Sequence, residues 1–371
     1  MRLVFDLDDT ICRAHNRDYA NAKPIMAVVD KIRACREALP DVEIVIHTSR
    51  GMASCNGDVA LAEAKNRPII EQWLAEHGLQ VDKIIFGKPL GDIYIDDKAM
   101  SAYEFGFSDI GTFSGFSGSR VIRIGNTIIK EANNAVEQFA WYEQAQTHYR
   151  QMRETCPSWA YNVTIPVAYG VTLGKLYLEF VPGILAAKMR GNEEDIVNRL
   201  QEMLRYEPII DGENDLNAYA DYIDSRARAI GLETSICERL RGCELLRPRT
   251  FCHGDLSLLN VICHGDELVL IDPSVKPFME TWLVDAGKLR ASIVILDEAL
   301  AGVRHHKSLA TRFDYHYRIG ECVGLYPSGT LDAVKLMCQS HIIRVWYYAN
   351  KLGKDAEKAI LSDFYHKTYG E

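Results

Sequence analysis

Two α/β regions of different build are expected from this sequence: an α/β domain with a parallel sheet over residues 1–110, then an α+β, two-lobed domain over 111–371. Three observations carry that expectation. Apolar runs alternate with amphipathic segments up to about residue 100, the texture turns to Gly, Ser and Phe near residue 111, and helical patterns dominate beyond residue 183. A chain of 371 residues has room for two cores, because single cores stop growing before that length.

The first region reads strand, helix, strand, helix: Arg2 to Leu7, a helical pattern over 24–38, Val42 to Ile46, a second helical pattern over 58–76, then Lys83 to Phe86 and Asp92 to Ile95. That order implies a parallel sheet covered on both faces, with chemistry gathered at the carboxyl ends of its strands. Asp6, Thr48 and Asp96 fall just after three of the apolar runs. In the second region, Arg120 to Ile124 and Thr127 to Lys130 flank Gly125-Asn126, the signature of a tight hairpin. A helix over 133–149 and a strand over Tyr177 to Val181 complete a small lobe at 111–182, and the large lobe at 183–371 is expected to be helical apart from 250–274.

Composition narrows the function. With 47% hydrophobic and 25% charged residues the chain is neither disordered nor fibrous. A net charge of −9 argues against nonspecific nucleic-acid binding and favours a small-molecule substrate. The ten cysteines show no CxxC pair and read as reduced thiols of a cytoplasmic protein. Neither an export signal nor a run of apolar residues long enough to span a membrane is legible, so no membrane association is expected.

Asp6 and Asp8 follow an apolar strand two residues apart, so both can address one point where strand gives way to loop. Such a pair suits covalent phosphoryl transfer, one carboxylate attacking phosphorus and the other moving protons. Two anions facing a phosphate also need cationic help, which implies magnesium and a lysine. Asp96 and Asp97 supply hard oxygen ligands beside Asp6 and Asp8, Lys88 the ammonium, and Thr48 a hydroxyl donor. Asp6-x-Asp8-x-Thr10, Thr48, Lys88 and Asp96-Asp97 resemble, in order, the four motifs of the haloacid dehalogenase superfamily, over roughly residues 1–110. The resemblance implies a Rossmann-like fold, Asp6 as nucleophile, Asp8 as general acid/base, and a phosphatase rather than a dehalogenase. Short spacings between motifs imply a capless member, similar to small phosphatases associated with capsule polysaccharide synthesis.

The second constellation is His253-Gly254-Asp255 with Asn260 and, after the apolar Leu268 to Ile271, Asp272-Pro273. Its spacing mirrors a kinase catalytic loop and metal aspartate: Asp255 takes the acceptor proton, while Asn260 and Asp272 hold magnesium on the ATP phosphates. Lys130 is the expected phosphate lysine, with Glu137 its partner and Glu143 the alternative. The Ser114 to Ser119 stretch, with Ser117 and Gly118, is a candidate phosphate-covering loop, and Glu179 and Val181 are placed to meet the adenine. These residues resemble the aminoglycoside phosphotransferase and choline kinase families over roughly 113–371. Trp282-Leu283-Val284-Asp285 is similar to the segment those kinases carry after the metal aspartate, and the absence of Ala-Pro-Glu favours a small-molecule hydroxyl acceptor over a protein. Trp346-Tyr347-Tyr348, near Arg344, reads first as core packing and second as a substrate-pocket wall.

Together the motifs imply a bifunctional enzyme that removes phosphate at one site and adds it at another, with a phosphorylated small molecule and a hydroxyl acceptor such as a sugar, polyol or amino alcohol. Surface-polysaccharide precursor synthesis is the setting the two resemblances imply. The rivals are a kinase whose first domain regulates or assembles, and a nucleotide-binding scaffold without catalysis.

Overall fold

A computed structural model describes residues 1–14, 18–91, 100, 102, 105, 110–114, 120–155, 162–172, 174–275 and 278–370. The fold is mixed α and β, and the chain divides into two compact units, Met1–Ala132 with Tyr177–Phe180, and Asn133–Leu176 with Val181–Glu371.

In the first unit β1 (Arg2–Phe5) is followed by a two-residue hairpin of β2 (Cys12–Arg13) and β3 (Lys23–Pro24), then α1 (Met26–Ala38), β4 (Glu43–Thr48), α2 (Val59–Glu76) and β5 (Lys83–Phe86). Residues Val28, Val29, Ile32 and Cys35 lie at helical spacing and form the buried stripe of α1. Asp58 caps α2, its side chain accepting from the Leu61 N–H at 3.0 Å, and Ala62, Ile70 and Trp73 face inward. The strands β1, β4 and β5 pair in that order, all parallel, with Phe5 opposite Ile46 and Thr48 opposite Phe86. That register brings Asp6, Thr48 and Lys88 off one edge of the sheet. The expected strand at Asp92 to Ile95 lies outside the described residues.

Next come β6 (Ile110–Ser114), β7 (Arg120–Ile124) and β8 (Thr127–Glu131), antiparallel neighbours. Gly125, at φ 57°, adopts the left-handed conformation the two-residue turn requires, and Ile124 faces Thr127 across it, as the hairpin signature predicted. Ile122, Ile124 and Ile129 join the same core as Phe5, Ile32 and Trp73, with Tyr177 packed against it. Phe180 extends this part of the structure: its N–H donates to the Asn126 carbonyl at 2.7 Å, and the Arg123 guanidinium stacks 3.5 Å from its ring centroid.

The second unit opens with α3 (Ala135–Thr155), which runs one and a half turns beyond its expected end. Short strands follow: β9 (Val163–Thr164), β10 (Ala168–Thr172), β11 (Lys175–Glu179, which passes into the first unit at Tyr177) and β12 (Ile184–Leu185). Then come α4 (Glu193–Leu204), β13 (Ile209–Glu213), α5 (Leu216–Ala229), α6 (Ile236–Arg241), β14 (Pro248–Thr250), β15 (Val261–His264) and β16 (Glu267–Leu270). The chain ends in α7 (Trp282–Ala291), a π-helical turn at Ser292–Leu296, α8 (Asp297–Ala301), α9 (Lys307–Cys322), α10 (Thr330–Lys351) and α11 (Asp355–Tyr369). β12 pairs with β15 and β13 with β14, so the mostly helical region after 183 also holds short strands outside 250–274. Two residues show no alternation, and β13 is mostly exposed and contains Gly212, so neither has a readable period. Among the described residues no helix is long and apolar enough to cross a membrane.

Candidate active sites

At the carboxyl edge of the parallel sheet, Lys88 Nζ lies 3.1 Å from Asp6 Oδ2, and the Leu7 N–H donates to Asp6 Oδ1 at 2.9 Å. Thr48 is fully buried, its Oγ1 accepting from the Arg50 N–H at 3.0 Å, while the Lys88 N–H donates to the Thr48 carbonyl at 3.2 Å. Asp6, Thr48 and Lys88 are thus gathered as the sequence placed them. Asp8 is held differently. The Arg50 side chain, only 1% exposed, takes both of its oxygens, with Nη2 2.6 Å from Oδ1 and Nε 3.1 Å from Oδ2. The same Nη2 lies 3.4 Å from Cys12 Sγ, and the guanidinium sits 4.4 Å from the Tyr19 ring. Burial pushes the Cys12 thiol up to about 11, which keeps it a protonated packing group.

Arg50 was legible only as part of His47-Thr48-Ser49-Arg50, because an arginine two residues past a strand end gives no sign of turning back onto Asp8. Asp96 and Asp97 lie outside the described residues, as do Ser117 and Gly118. Among the described residues no three His, Cys, Asp or Glu side chains gather to hold a metal ion unaided. Both carboxylates are thus engaged by cations, Asp8 by Arg50 and Asp6 by Lys88.

In the second unit the loop after β14 carries Asp255. Its Oδ1 is 2.9 Å from Lys288 Nζ, and Asn260 Nδ2 donates to Oδ2 at 3.0 Å and to the Asp255 carbonyl at 2.9 Å. The loop itself is pinned from below by Asp285, which is wholly buried and accepts from the N–H groups of His253 at 2.6 Å, Gly254 at 2.8 Å and Leu256 at 3.4 Å. Burial pushes the Asp285 carboxyl up to about 8, against the pull of those three donors. Gly254 has φ 75°, a left-handed conformation that a side chain disfavours. Farther along, the Leu258 N–H donates to Ser292 Oγ, Ser292 bonds Asp297, and Asp297 pairs with His305 at 2.8 Å, all buried.

Asn260 spends its amide N–H groups on Asp255, so its amide oxygen is the end available to a cation. Asp272 is exposed at φ 59°, a sparsely populated region for a non-glycine residue. An amide oxygen and a carboxylate are the hard donors magnesium takes, so these residues fit the expected ion. The buried Tyr142 of α3 hydrogen-bonds the Asp272 backbone. Lys130 is buried near the end of β8 in the first unit, where Glu179 ends β11. Glu137 and Glu143 lie on α3 and Val181 in the second unit.

Three basic or acidic residues around Asp255 went unassigned in the sequence: Lys288, Asp285 and Arg344. Asp285 had been noted only within Trp282 to Asp285, and Arg344 only beside the aromatic triplet. That triplet divides: Trp346 is buried against Tyr365, whereas Tyr348 is 38% exposed, so core packing describes the first and not the last.

No family model matches the chain, and no curated protein matches it. Solved structures do. A structural-genomics target from Vibrio cholerae is 35% identical over 29% of this chain and 89% of its own, with a TM-score of 0.28. A choline/ethanolamine kinase family protein from Mesorhizobium loti is 13% identical, covering 70% of this chain and 87% of its own at TM-score 0.46. The choline kinase LicA from Streptococcus pneumoniae is 14% identical over 70% and 92% at TM-score 0.43.

Proposed function

We propose that the chain is a bifunctional phosphoryl-transfer enzyme, a small-molecule kinase at Asp255 and a phosphatase at Asp6, with the kinase the better supported half. The observation that carries it is the Asp255 carboxylate held between Asn260 and Lys288 on a loop whose backbone Asp285 fixes. In the kinase reaction the acceptor oxygen bonds to the γ-phosphorus of ATP, the bridging P–O bond to ADP breaks, and the acceptor proton passes to Asp255. Lys288 and Asn260 orient that carboxylate, and a rigid loop supplies the positioning on which such transfers depend. Asn260 and Asp272 would hold magnesium, whose contribution is neutralising phosphate charge. Within the second unit, Glu137 and the backbone at Val181 are proposed ATP contacts.

In the phosphatase reaction Asp6 attacks the phosphorus of a phosphate ester, the ester oxygen leaves with a proton from Asp8, and water then cleaves the aspartyl phosphate. Lys88 and Thr48 stabilise the phosphoryl oxygens, and Asp96 and Asp97 join Asp6 as proposed magnesium ligands. Domain limits of 1–110 and 111–371 and a cytoplasmic, sugar-precursor setting belong to the same proposal. One observation favours a second reading, a kinase with a regulatory first domain: Arg50 on both oxygens of Asp8 leaves neither free to protonate a leaving group.

The paired variants Asp6→Asn and Asp255→Asn test the assignment. Asp6→Asn is expected to abolish hydrolysis of p-nitrophenyl phosphate while leaving ATP-dependent phosphorylation intact, and Asp255→Asn to lower phosphorylation by roughly 10²–10⁴-fold, the usual worth of a general base. Unchanged phosphorylation in Asp255→Asn would remove that residue from the mechanism. Absence of hydrolysis by the wild-type protein would leave the second reading standing.

A further inference from the structure

We infer that the kinase acceptor carries an anionic group, a carboxylate or a phosphate monoester, bound by Arg344, which interacts with Asp255, and by Arg226, which shares the Tyr222 ring with Arg344. This rests on the phosphotransfer reading above, which puts the acceptor hydroxyl at Asp255. Three helices carry the residues concerned. From α7, Lys288 reaches Asp255; from α10, Arg344; and from α5, Tyr219, Tyr222 and Arg226. Gly287 lets α7 and α10 meet closely, since a Cβ there would stand 2.4 Å from Met337 Cβ and 2.9 Å from the Cys338 nitrogen. Arg344 lies about two helical turns beyond Met337 on the same face.

Among the described residues the two arginines bond hydroxyls rather than carboxylates: Arg226 Nη1 donates to Ser225 Oγ at 2.7 Å, and Arg344 hydrogen-bonds the Tyr219 and Tyr222 phenols. Arg226 lies 3.9 Å from the Tyr222 ring centroid and 5.2 Å from that of Tyr347, while Arg344 lies 5.9 Å from Tyr222. The Arg344 Nη1 donates to His341 Nδ1 at 3.3 Å, and His341 Nε2 donates in turn to the Val284 carbonyl at 3.0 Å. That tautomer is neutral, consistent with burial, then Arg344 and Lys288, holding the imidazole well below its usual value. The Nε atoms of Arg344 and Arg226 are buried without a hydrogen-bond partner, and among the described residues neither arginine forms an ion pair. Arg290, on the same helix as Lys288, shows the contrast: Asp314 meets it at 2.8 and 3.0 Å.

The phenol of Tyr222 senses the resulting field. Burial pushes it up, yet Arg344, a hydrogen bond with Tyr348, and Arg226 together bring it below its ordinary value. In a chain with net charge −9, this is a local reversal of sign. A cationic amine would meet two guanidinium groups, and a neutral polyol would bring no anion to Arg344, whose counter-charge in the protein is the Asp255 carboxylate. An anion satisfies both. It also separates the two activities, because an acceptor that already bears phosphate at one position gives the kinase its handle and the phosphatase its substrate at another.

The test is calorimetric binding to full-length Asp6→Asn protein, with magnesium and a non-hydrolysable ATP analogue, of two matched sets. One set is glycerate, glycerol 3-phosphate, glycerol and 3-amino-1,2-propanediol; the other is glucuronate, glucose 6-phosphate, glucose and glucosamine. In at least one set an anion is expected to bind at least tenfold more tightly than its neutral counterpart, and the amine most weakly. The carboxylate and phosphate arms tell the two anions apart. Arg344→Gln is expected to bring the anion-to-neutral ratio toward one, and Arg344→Lys to keep part of it. Neutral or amine ligands binding as well as, or better than, the anions in both sets would overturn the inference, as would no anion binding in either. ADP release from ATP with the same compounds is read separately. Anion-selective binding without any ADP release would refute the kinase reading while leaving the charge preference standing.

Discussion

Arg50 is the residue on which the first site turns. A guanidinium with two of its nitrogens on one carboxylate is a strong, planar pairing, and Arg50 is buried, so it fixes the orientation of Asp8. If Asp8 is the proton donor, Arg50 is its positioning residue, and Arg50→Met is expected to lower p-nitrophenyl phosphate turnover by about 10²-fold, the cost of a displacement on the order of 1 Å. A rise in turnover on that substitution would identify Arg50 as a clamp that restrains Asp8, and would support the regulatory reading of the first domain. Individual carboxylates were legible at both sites because strand ends and short fixed spacings reveal them. Their cationic partners were not, since Arg50 reaches back 42 positions and Lys288 comes from a helix 33 positions beyond Asp255.

At the scale of elements, the catalytic loop before β15 and the helix α7 form one device. Leu256 and Leu258 anchor the loop in the core, and the backbone N–H groups of His253, Gly254 and Leu256 converge on the Asp285 carboxylate. Replacing Asp285 by Asn would turn an amide N–H group toward those donors and leave part of them unpaired, at about 1–3 kcal/mol. Asp285→Asn is therefore expected to lower the thermal midpoint and kinase turnover together, with little change in phosphatase turnover. Because burial lifts this carboxyl from 3.8 to about 8, the folded protein binds its proton more tightly than the unfolded chain. The stability this group contributes is fully present below about pH 4 and is lost as pH rises to and through about 8. Thermal melts of the wild type across that window are expected to show the decline, and Asp285→Asn to flatten it. An identical slope in the variant would mean that Asp285 does not titrate as stated. Long elements such as α1, α2 and β4 are readable from their apolar pattern, whereas β12 and β13, short or without alternation, are defined by their pairing with β15 and β14.

At the scale of the whole molecule, the first compact unit is larger than its parallel sheet. Ile122, Ile124 and Ile129 of the hairpin are buried in one core with Phe5, Ile32 and Trp73, and Arg120 reaches Asp41 at 3.6 Å. A fragment ending at residue 110 would leave that core without the hairpin. It is expected to melt well below the first unit of the intact chain, by roughly the burial of several aliphatic side chains at about 1.5–3 kcal/mol each. Equal midpoints for the fragment and the intact first unit would show that the hairpin adds nothing to that core.

By itself the sequence determined the alternating α/β start, the β-hairpin, the helical end, and two sets of carboxylates spaced for phosphoryl transfer. Those features are local: period, turn chemistry and spacing are written into neighbouring residues. Only the tertiary structure decided which cations face those carboxylates. It paired Asp8 with Arg50 and Asp255 with Lys288, and it placed Arg344 and Arg226 on helices α10 and α5 around the latter. Charge pairing acts through space over a few ångströms, so residues far apart in the chain meet only once the helices have packed.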